Sequence, residues 1–262
     1  MNDLSSEVPI RPAATILLLR DAPQLQVLMV QRHHEIDFAP GALVFPGGKS
    51  HPGDHDEAWA DHVLGWPDFA PEQRALRIAA IREVFEEAGV LLACRRDGAP
   101  IGAAACPMET RKAVDAGTVA FLDVVRDLEA LLDLHALAVF ARWITPNVPK
   151  LKRFDTWFFA ARTTVEQLAA SDGRETVDAV WLSPDDALRM GEEGERKVVF
   201  PTRMNLRLLA QSASADDAIA SAKARRLVTV EPRRVEGPNG PMLVLPPDAG
   251  YGDVAESLAR VF

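Results

Sequence analysis

One stretch, "RIAAIREVFEEAGV" at Arg77 to Val90, constrains this chain more than any other. Pro71 is a favourable first helical residue and Gly89 a favourable residue just past a helix end, so the sequence predicts a helix between them. At about 100° per residue, Ile78, Ile81, Phe85 and Ala88 share a stripe suited to burial on a sheet, and Glu83, Glu86 and Glu87 fall on the opposite side. The placement of these acids is costly. Glu83 lies i,i+3 and i,i+4 from Glu86 and Glu87, and such like-charge pairs repel by roughly 0.2–0.5 kcal/mol each. Carboxylates in a last turn also oppose the helix macrodipole by about 0.3–1 kcal/mol each. Arg82, one turn before Glu86, offsets part of this, yet a merely solvated face would carry Lys or Arg at one of the three positions. A local rule broken without compensation points to function. The simplest compensation is divalent cations, and an oxygen-only donor set suits Mg²⁺ or Mn²⁺.

The rest of the chain narrows the classes. With 262 residues and 48% apolar residues it can bury one large core with additions. A formal charge of −9 argues against nucleic acid as partner, because backbone phosphates are bound by clustered Lys and Arg. A small anionic substrate stays compatible if bound metal supplies the positive charge. The apolar run Ala13 to Leu19 is short, lacks a preceding basic region and is closed by Arg20, so it reads as a strand and not as a leader or membrane span. Cys94 and Cys106 carry no metal-ligand spacing and read as ordinary thiols in a reducing cytoplasm. His33, His34, His51 and His55 likewise lack zinc-site spacing.

Along the chain, "AATILLLR" and "LQVLMVQR" around "DAPQ" predict a hairpin, and "ALVF" a third strand running into "PGG" at Pro46 to Gly48. Lys49 to Ala70 has no clear period and reads as a loop or loosely helical insertion. Residues 107–134 read as one or two helices with a break at Gly117. "LAVFARWITP", "FDTWFFAAR" and "TVDAVWLS" read as strands, and "PDDALRMGEEG" as a helix opened by Pro184. Two short helices and a hairpin around "GPNG" close the chain over residues 201–247. Trp143, Trp157 and Trp181 lie in strand-like runs and read as core. With no repeat and no low-complexity linker, residues 1–262 are expected to form one mixed α/β domain with a core over about 10–210.

"REVFEEAGV" at Arg82 to Val90, with "FPGG" upstream, resembles the signature of the Nudix hydrolase superfamily. The resemblance implies an α/β/α sandwich around a mixed sheet, and cleavage of a pyrophosphate linking a nucleoside to another group. It implies metal ligation by Glu83, Glu86, Glu87 and the Gly48 carbonyl, with Glu86 also catalytic and Arg82 oriented by an outer acid. The spacing from Gly48 to Arg82 exceeds the family pattern by twenty residues, an insertion placed at about 55–70. Asp54, six residues after Gly48, fits the outer acid, with Glu57 and Glu72 as rivals. For the general base the candidates are Glu175 and Asp155. For substrate binding they are Gly47, Gly48, Arg32 and Arg153, the two arginines flanking strand ends. "FAPGALVFPGG", "FDTWFFAA", "VWLSPDDAL" and "FPTRMNL" further resemble the long-insertion branch related to peroxisomal coenzyme A diphosphatases. Where those enzymes carry a Ser and an Arg upstream of the Gly41 position, this chain carries His33 and Asp37. The expected partner is therefore a small nucleoside diphosphate derivative, with coenzyme A or its thioesters first and ADP-ribose, dinucleotides or nucleoside triphosphates as alternatives. No membrane is expected, and a homodimer is compatible. A non-catalytic nucleotide-sensing module is the competing class, distinguished by erosion of the acidic helix, which here is intact.

Overall fold

The computed structural model describes residues 8–34, 39–99, 101, 105–148, 152–163, 176–238 and 240–258. β1 (Ile10–Asp21) and β2 (Leu25–Arg32) form the expected antiparallel hairpin, with Leu19 opposite Val27. β3 (Ala42–Val44) pairs with β2, and β4 (Gly47–Lys49) pairs with β1, placing Gly48 opposite Ala14. The insertion follows as short 3-10 turns at Pro52–His55, Glu57–Asp61 and Trp66–Asp68, interrupted by β5 (Val63–Leu64). Then comes α1 (Pro71–Ala88), ended by Gly89 in the left-handed conformation with φ of 70°. β6 (Ala93–Arg95), α2 (Met108–Asp115), α3 (Phe121–Asp127) and β7 (Ala130–Asp133) build a small module with β5.

β8 (Ala138–Ile144), β9 (Arg153–Arg162) and β10 (Thr176–Leu182) return to the main sheet, β9 running parallel to β1 along ten residue pairs. α4 (Pro184–Glu192), β11 (Lys197–Val198), α5 (Phe200–Leu209), α6 (Ala215–Ala224) and β12 (Thr229–Val230) follow. β13 (Arg233–Gly237) and β14 (Gly240–Val244) make the closing hairpin, to which β15 (Ala255–Ser257) adds a third strand. The nine-stranded sheet runs β11-β3-β2-β1-β9-β8-β12, with β10 paired to β2 and β4 to β1.

Strand alternation sorts side chains into two cores, one on each face. Ile16, Leu18, Leu28, Val30 and Phe159 face α1. Leu17, Leu19, Met29, Phe158 and Ala160 face α5 and α6. The result is an α/β/α sandwich around a mixed sheet.

Two expectations are corrected. The helical reading of 107–134 stops at Asp127: Glu129 takes a φ of 50°, and Ala130–Asp133 becomes a strand paired with Cys94 and Val63 neighbours. Gly47 and Gly48, read as the end of the third strand, and Lys49, read as the start of a loop, form a separate strand because β1 continues past β2 and offers it an edge. As the charge pattern of α1 implied, its acidic side is not a solvated face: burial is unbroken from Ala75 to Ala88, since β4 and the insertion cover what the sheet does not.

Candidate active site

Crowding against backbone requires the first glycine of β4, and a side chain at the second would displace the carboxylate of Glu83. A Cβ on Gly47 would lie 2.5 Å from Thr15 Oγ1 and 2.6 Å from the Ala14 carbonyl oxygen. One on Gly48 would lie 2.4 Å from Glu83 Oε1. Bare backbone therefore presses between β1 and the acids of α1. The Gly47 N–H donates to Glu87 Oε2 at 3.0 Å, fixing that carboxylate to the loop.

Arg82, itself buried, is the hub. Its Nε and Nη2 donate to Asp54 Oδ1 and Oδ2 at 2.9 and 3.1 Å, and its Nη1 to Glu83 Oε1 and Glu86 Oε2 at 2.9 and 2.8 Å. Nη2 also reaches the Lys49 carbonyl at 2.9 Å. Burial opposes the Arg82 charge, but Glu83, Asp54 and Glu86 outweigh it and hold its pKa above the ordinary value. Of the three candidates for the outer acid, Asp54 makes this contact, while Glu57 and Glu72 are exposed. Asp54 Oδ2 also accepts the His51 backbone N–H at 2.7 Å, so the first 3-10 turn of the insertion aims it.

Asp54, Glu83, Glu86 and Glu87 are only 3–7% exposed. Three of them share one guanidinium, so the four carboxylates together leave three negative charges in excess of it in a desolvated site. Part of that excess is relieved by protonation: burial, opposed by Arg82 and reinforced by Glu83, pushes the Glu86 carboxyl up to about 8. Among the described residues no three acidic, imidazole or thiol side chains converge as a finished cation cage. The donor set nevertheless fits a hard divalent cation, because it is all oxygen, buried and over-supplied with negative charge.

The other predicted residues fare unequally. Arg32, on the α1 face of β2, sits opposite Thr176, and its Nε is buried without a hydrogen-bond partner among the described residues. Thr176 Oγ1 donates to the Glu87 carbonyl at 3.1 Å, so β10 begins beside the end of the acidic helix. Glu175, the residue before it, lies outside the described residues. Asp155 is not poised as a base: both its oxygens accept from Arg142, at 2.9 and 2.7 Å. Arg153 is not turned to a phosphate, since it donates to the Thr145 carbonyl at 3.0 Å and to Glu231 at 2.6 Å. Trp143 is core as expected. Trp157 and Trp181 are only partly buried, beneath Arg142 and Arg20 at 4.8 and 4.2 Å from their ring centres. Asp37 lies outside the described residues.

Two contributors were not legible in the sequence. The Lys49 carbonyl is backbone, which no residue type announces. Arg111, 2% exposed, donates through Nε to the Glu86 carbonyl at 2.7 Å, and nothing marks it out among the other charged residues of α2. A cavity of about 230 Å³ lined in part by Phe140, Arg225 and Tyr251 lies on the opposite face of the sheet, away from these acids.

Known proteins resemble this chain in sequence and fold. A family model described as the NUDT19 Nudix domain matches residues 64–209, which include all of α1. The chain is 25% identical over 204 residues to the acyl-coenzyme A diphosphatase NUDT19 of Xenopus laevis, covering 62% of this chain and 54% of that protein. It is 29% identical over 238 residues to the human protein of the same name, covering 75% of this chain and 63% of that one. The crystal structure of a NUDIX hydrolase from Alicyclobacillus acidocaldarius superimposes with a TM-score of 0.71 at 28% identity, over 81% of this chain and 96% of that one. The chain thus spans little more than half the length of the frog relative and under two thirds of the human one.

Proposed function

The chain belongs to the NUDT19 Nudix family, and on that premise we propose that it is a metal-dependent hydrolase of the pyrophosphate bond in a nucleoside diphosphate linked to another group, with coenzyme A or an acyl-coenzyme A as substrate. The observation that carries this reading is the buried cluster of Asp54, Glu83, Glu86 and Glu87 around the single guanidinium of Arg82, pressed against the Gly47–Gly48 backbone. Its charge excess is stable only with protons or cations added, and a Mg²⁺- or Mn²⁺-dependent site uses cations. When bound, such ions supply neutralisation of the diphosphate and a lowered pKa of water.

Glu83, Glu86, Glu87 and the Gly48 carbonyl would hold them. Arg82 orients Glu83 and Glu86 from one side, and the Gly47 N–H orients Glu87 from the other. Arg32, with an Nε that lacks a protein partner among the described residues, binds a substrate phosphate oxygen. Glu175, next in sequence to Thr176, accepts the water proton; the Asp155–Arg142 clamp makes Asp155 the poorer choice. The reading takes residues 1–262 as one Nudix unit, alone or as a homodimer, in a reducing cytoplasm where Cys94 and Cys106 stay thiols. No helix of the described residues is long and apolar enough to cross a membrane.

The test is a panel of coenzyme A, acyl-coenzyme A, dephospho-coenzyme A, ADP-ribose, dinucleotides, NADH and nucleoside triphosphates with Mg²⁺ or Mn²⁺, products resolved by chromatography. Adenosine 3′,5′-bisphosphate and 4′-phosphopantetheine are expected from coenzyme A, with dephospho-coenzyme A slower because one anionic contact is missing. Turnover of ADP-ribose or a triphosphate with none of coenzyme A or its thioesters would overturn the substrate and leave the chemistry standing.

A further inference from the structure

The acidic helix ends in an environment that should repel its acids, and the added segment after it answers the problem. α1 stops at Ala88, so the carbonyls of its last turn have no partners within the helix. Three are nonetheless satisfied. Phe85 O accepts the Gly89 N–H at 2.9 Å, Glu87 O accepts Thr176 Oγ1 at 3.1 Å, and Glu86 O accepts Arg111 Nε at 2.7 Å. Only the last of these partners is a cation. Arg111 brings its charge to the negative end of the helix dipole, directly beneath the residues whose carboxylates oppose that dipole. It is 2% exposed, and the left-handed Gly89 leaves room for it: a Cβ there would stand 3.2 Å from Arg111 Nη1. The contact joins α2 to α1 across 25 residues of sequence.

We propose that Arg111 is a positioning residue for the acidic helix, and hence that the helical segment carrying it completes the site. Its Nε–H fixes the backbone on which the Glu86 and Glu87 side chains are mounted. A turn free to fray would let both carboxylates drift from Arg82 and the Gly47 N–H. The inference rests on the reading of this cluster as a metal-dependent catalytic site.

The variants are R111M, which keeps most of the buried stem and removes the donors, and R111A, which opens space for an added guanidinium ion. Circular dichroism checks the fold, calorimetric titration with Mn²⁺ measures binding, and kcat and KM are taken on the best substrate of the panel. Outer-sphere partners of metal ligands typically contribute about 10–100-fold. R111M is therefore expected to bind Mn²⁺ at least about tenfold more weakly and to lose kcat by about the same factor, with KM nearly unchanged. Millimolar guanidinium should restore part of both in R111A, where equal NaCl does not. If R111A fails to fold, R111M carries the test alone. A folded R111M with Mn²⁺ affinity and kcat within about twofold of wild type, well short of the outer-sphere range, would overturn the proposal. A wild type that neither binds Mn²⁺ nor turns over any substrate would bring down the metal-site reading, and this inference with it.

Discussion

Arg82 is asked to neutralise more than one guanidinium can, and the consequences differ among its partners. Asp54 takes two of its donors in a bidentate fork, while Glu83 and Glu86 share Nη1. Removing one member of a buried pair strands the other, at a cost of about 3–5 kcal/mol. Asp54→Ala and Arg82→Ala should therefore be strongly non-additive in thermal unfolding, because each breaks the same contact. Additive losses would show that the two act separately. Glu86→Gln should behave in the opposite sense, since it removes a charge that burial already disfavours. The apo protein should be no less stable, while turnover falls by orders of magnitude. A Glu86→Gln protein that unfolds, or that keeps full activity, would contradict the metal-ligand role. Glu83, Glu86 and Glu87 were legible in the sequence because helix geometry fixes their relation to Arg82. Asp54 was only one of three candidates, because a contact across 28 residues depends on how the intervening chain folds.

The insertion decides that contact, and it is ordered by joining the core on the α1 face of the sheet. Trp59 is 1% exposed, lies 5.7 Å from Phe121 of α3 and donates through Nε1 to the Gly53 carbonyl at 2.9 Å. Gly53 and Asp54 belong to the same 3-10 turn, so the tryptophan braces the residue that holds Arg82. Trp59→Ala should cost about 3–5 kcal/mol in stability. It should also lower activity at temperatures where the variant remains folded, through loss of Asp54 placement. Unchanged turnover in the folded variant would separate the insertion from the site. At this scale the sequence was most legible where a pattern is local. The first hairpin, the aromatic β9, and helices opened by Pro71 and Pro184 all lie where period and end signals put them. What escaped was non-local. β7 is a strand because β5 and β6 are there to pair with it, and β4 exists because β1 outruns β2. No residue of "GGK" favours a strand by itself.

At the scale of the whole molecule, an acidic chain with a net charge of −9 carries part of its charge in a buried cluster, and that couples folding to pH. Glu86 is raised in the folded state from 4.5 to about 8. Between these values the unfolded chain releases a proton that the folded chain keeps, so stability is fully present at low pH and is lost as pH rises through the folded value. His51 works the other way: burial, then Arg82, depress it, so its contribution is lost as pH falls below its ordinary 6.5. Tyr251 is pushed by burial up to about 12 and is silent near neutrality. The window from 6.5 to 8 therefore isolates Glu86 among these groups. One proton corresponds to about 1.4 kcal/mol per pH unit, and in a chain of this size that lowers Tm by roughly 3–6 °C per unit. Metal ligation needs the charged carboxylate, so saturating Mn²⁺ should remove the dependence by taking the proton's place. Differential scanning fluorimetry from pH 6.5 to 8, with chelator and with Mn²⁺, measures both arms. A falling Tm with chelator and a flat one with metal are expected. The same falling slope in both would mean that the cation does not reach Glu86. A Tm that stays flat with pH in chelator would mean that the fold already holds this carboxylate charged, with the protein alone neutralising the cluster.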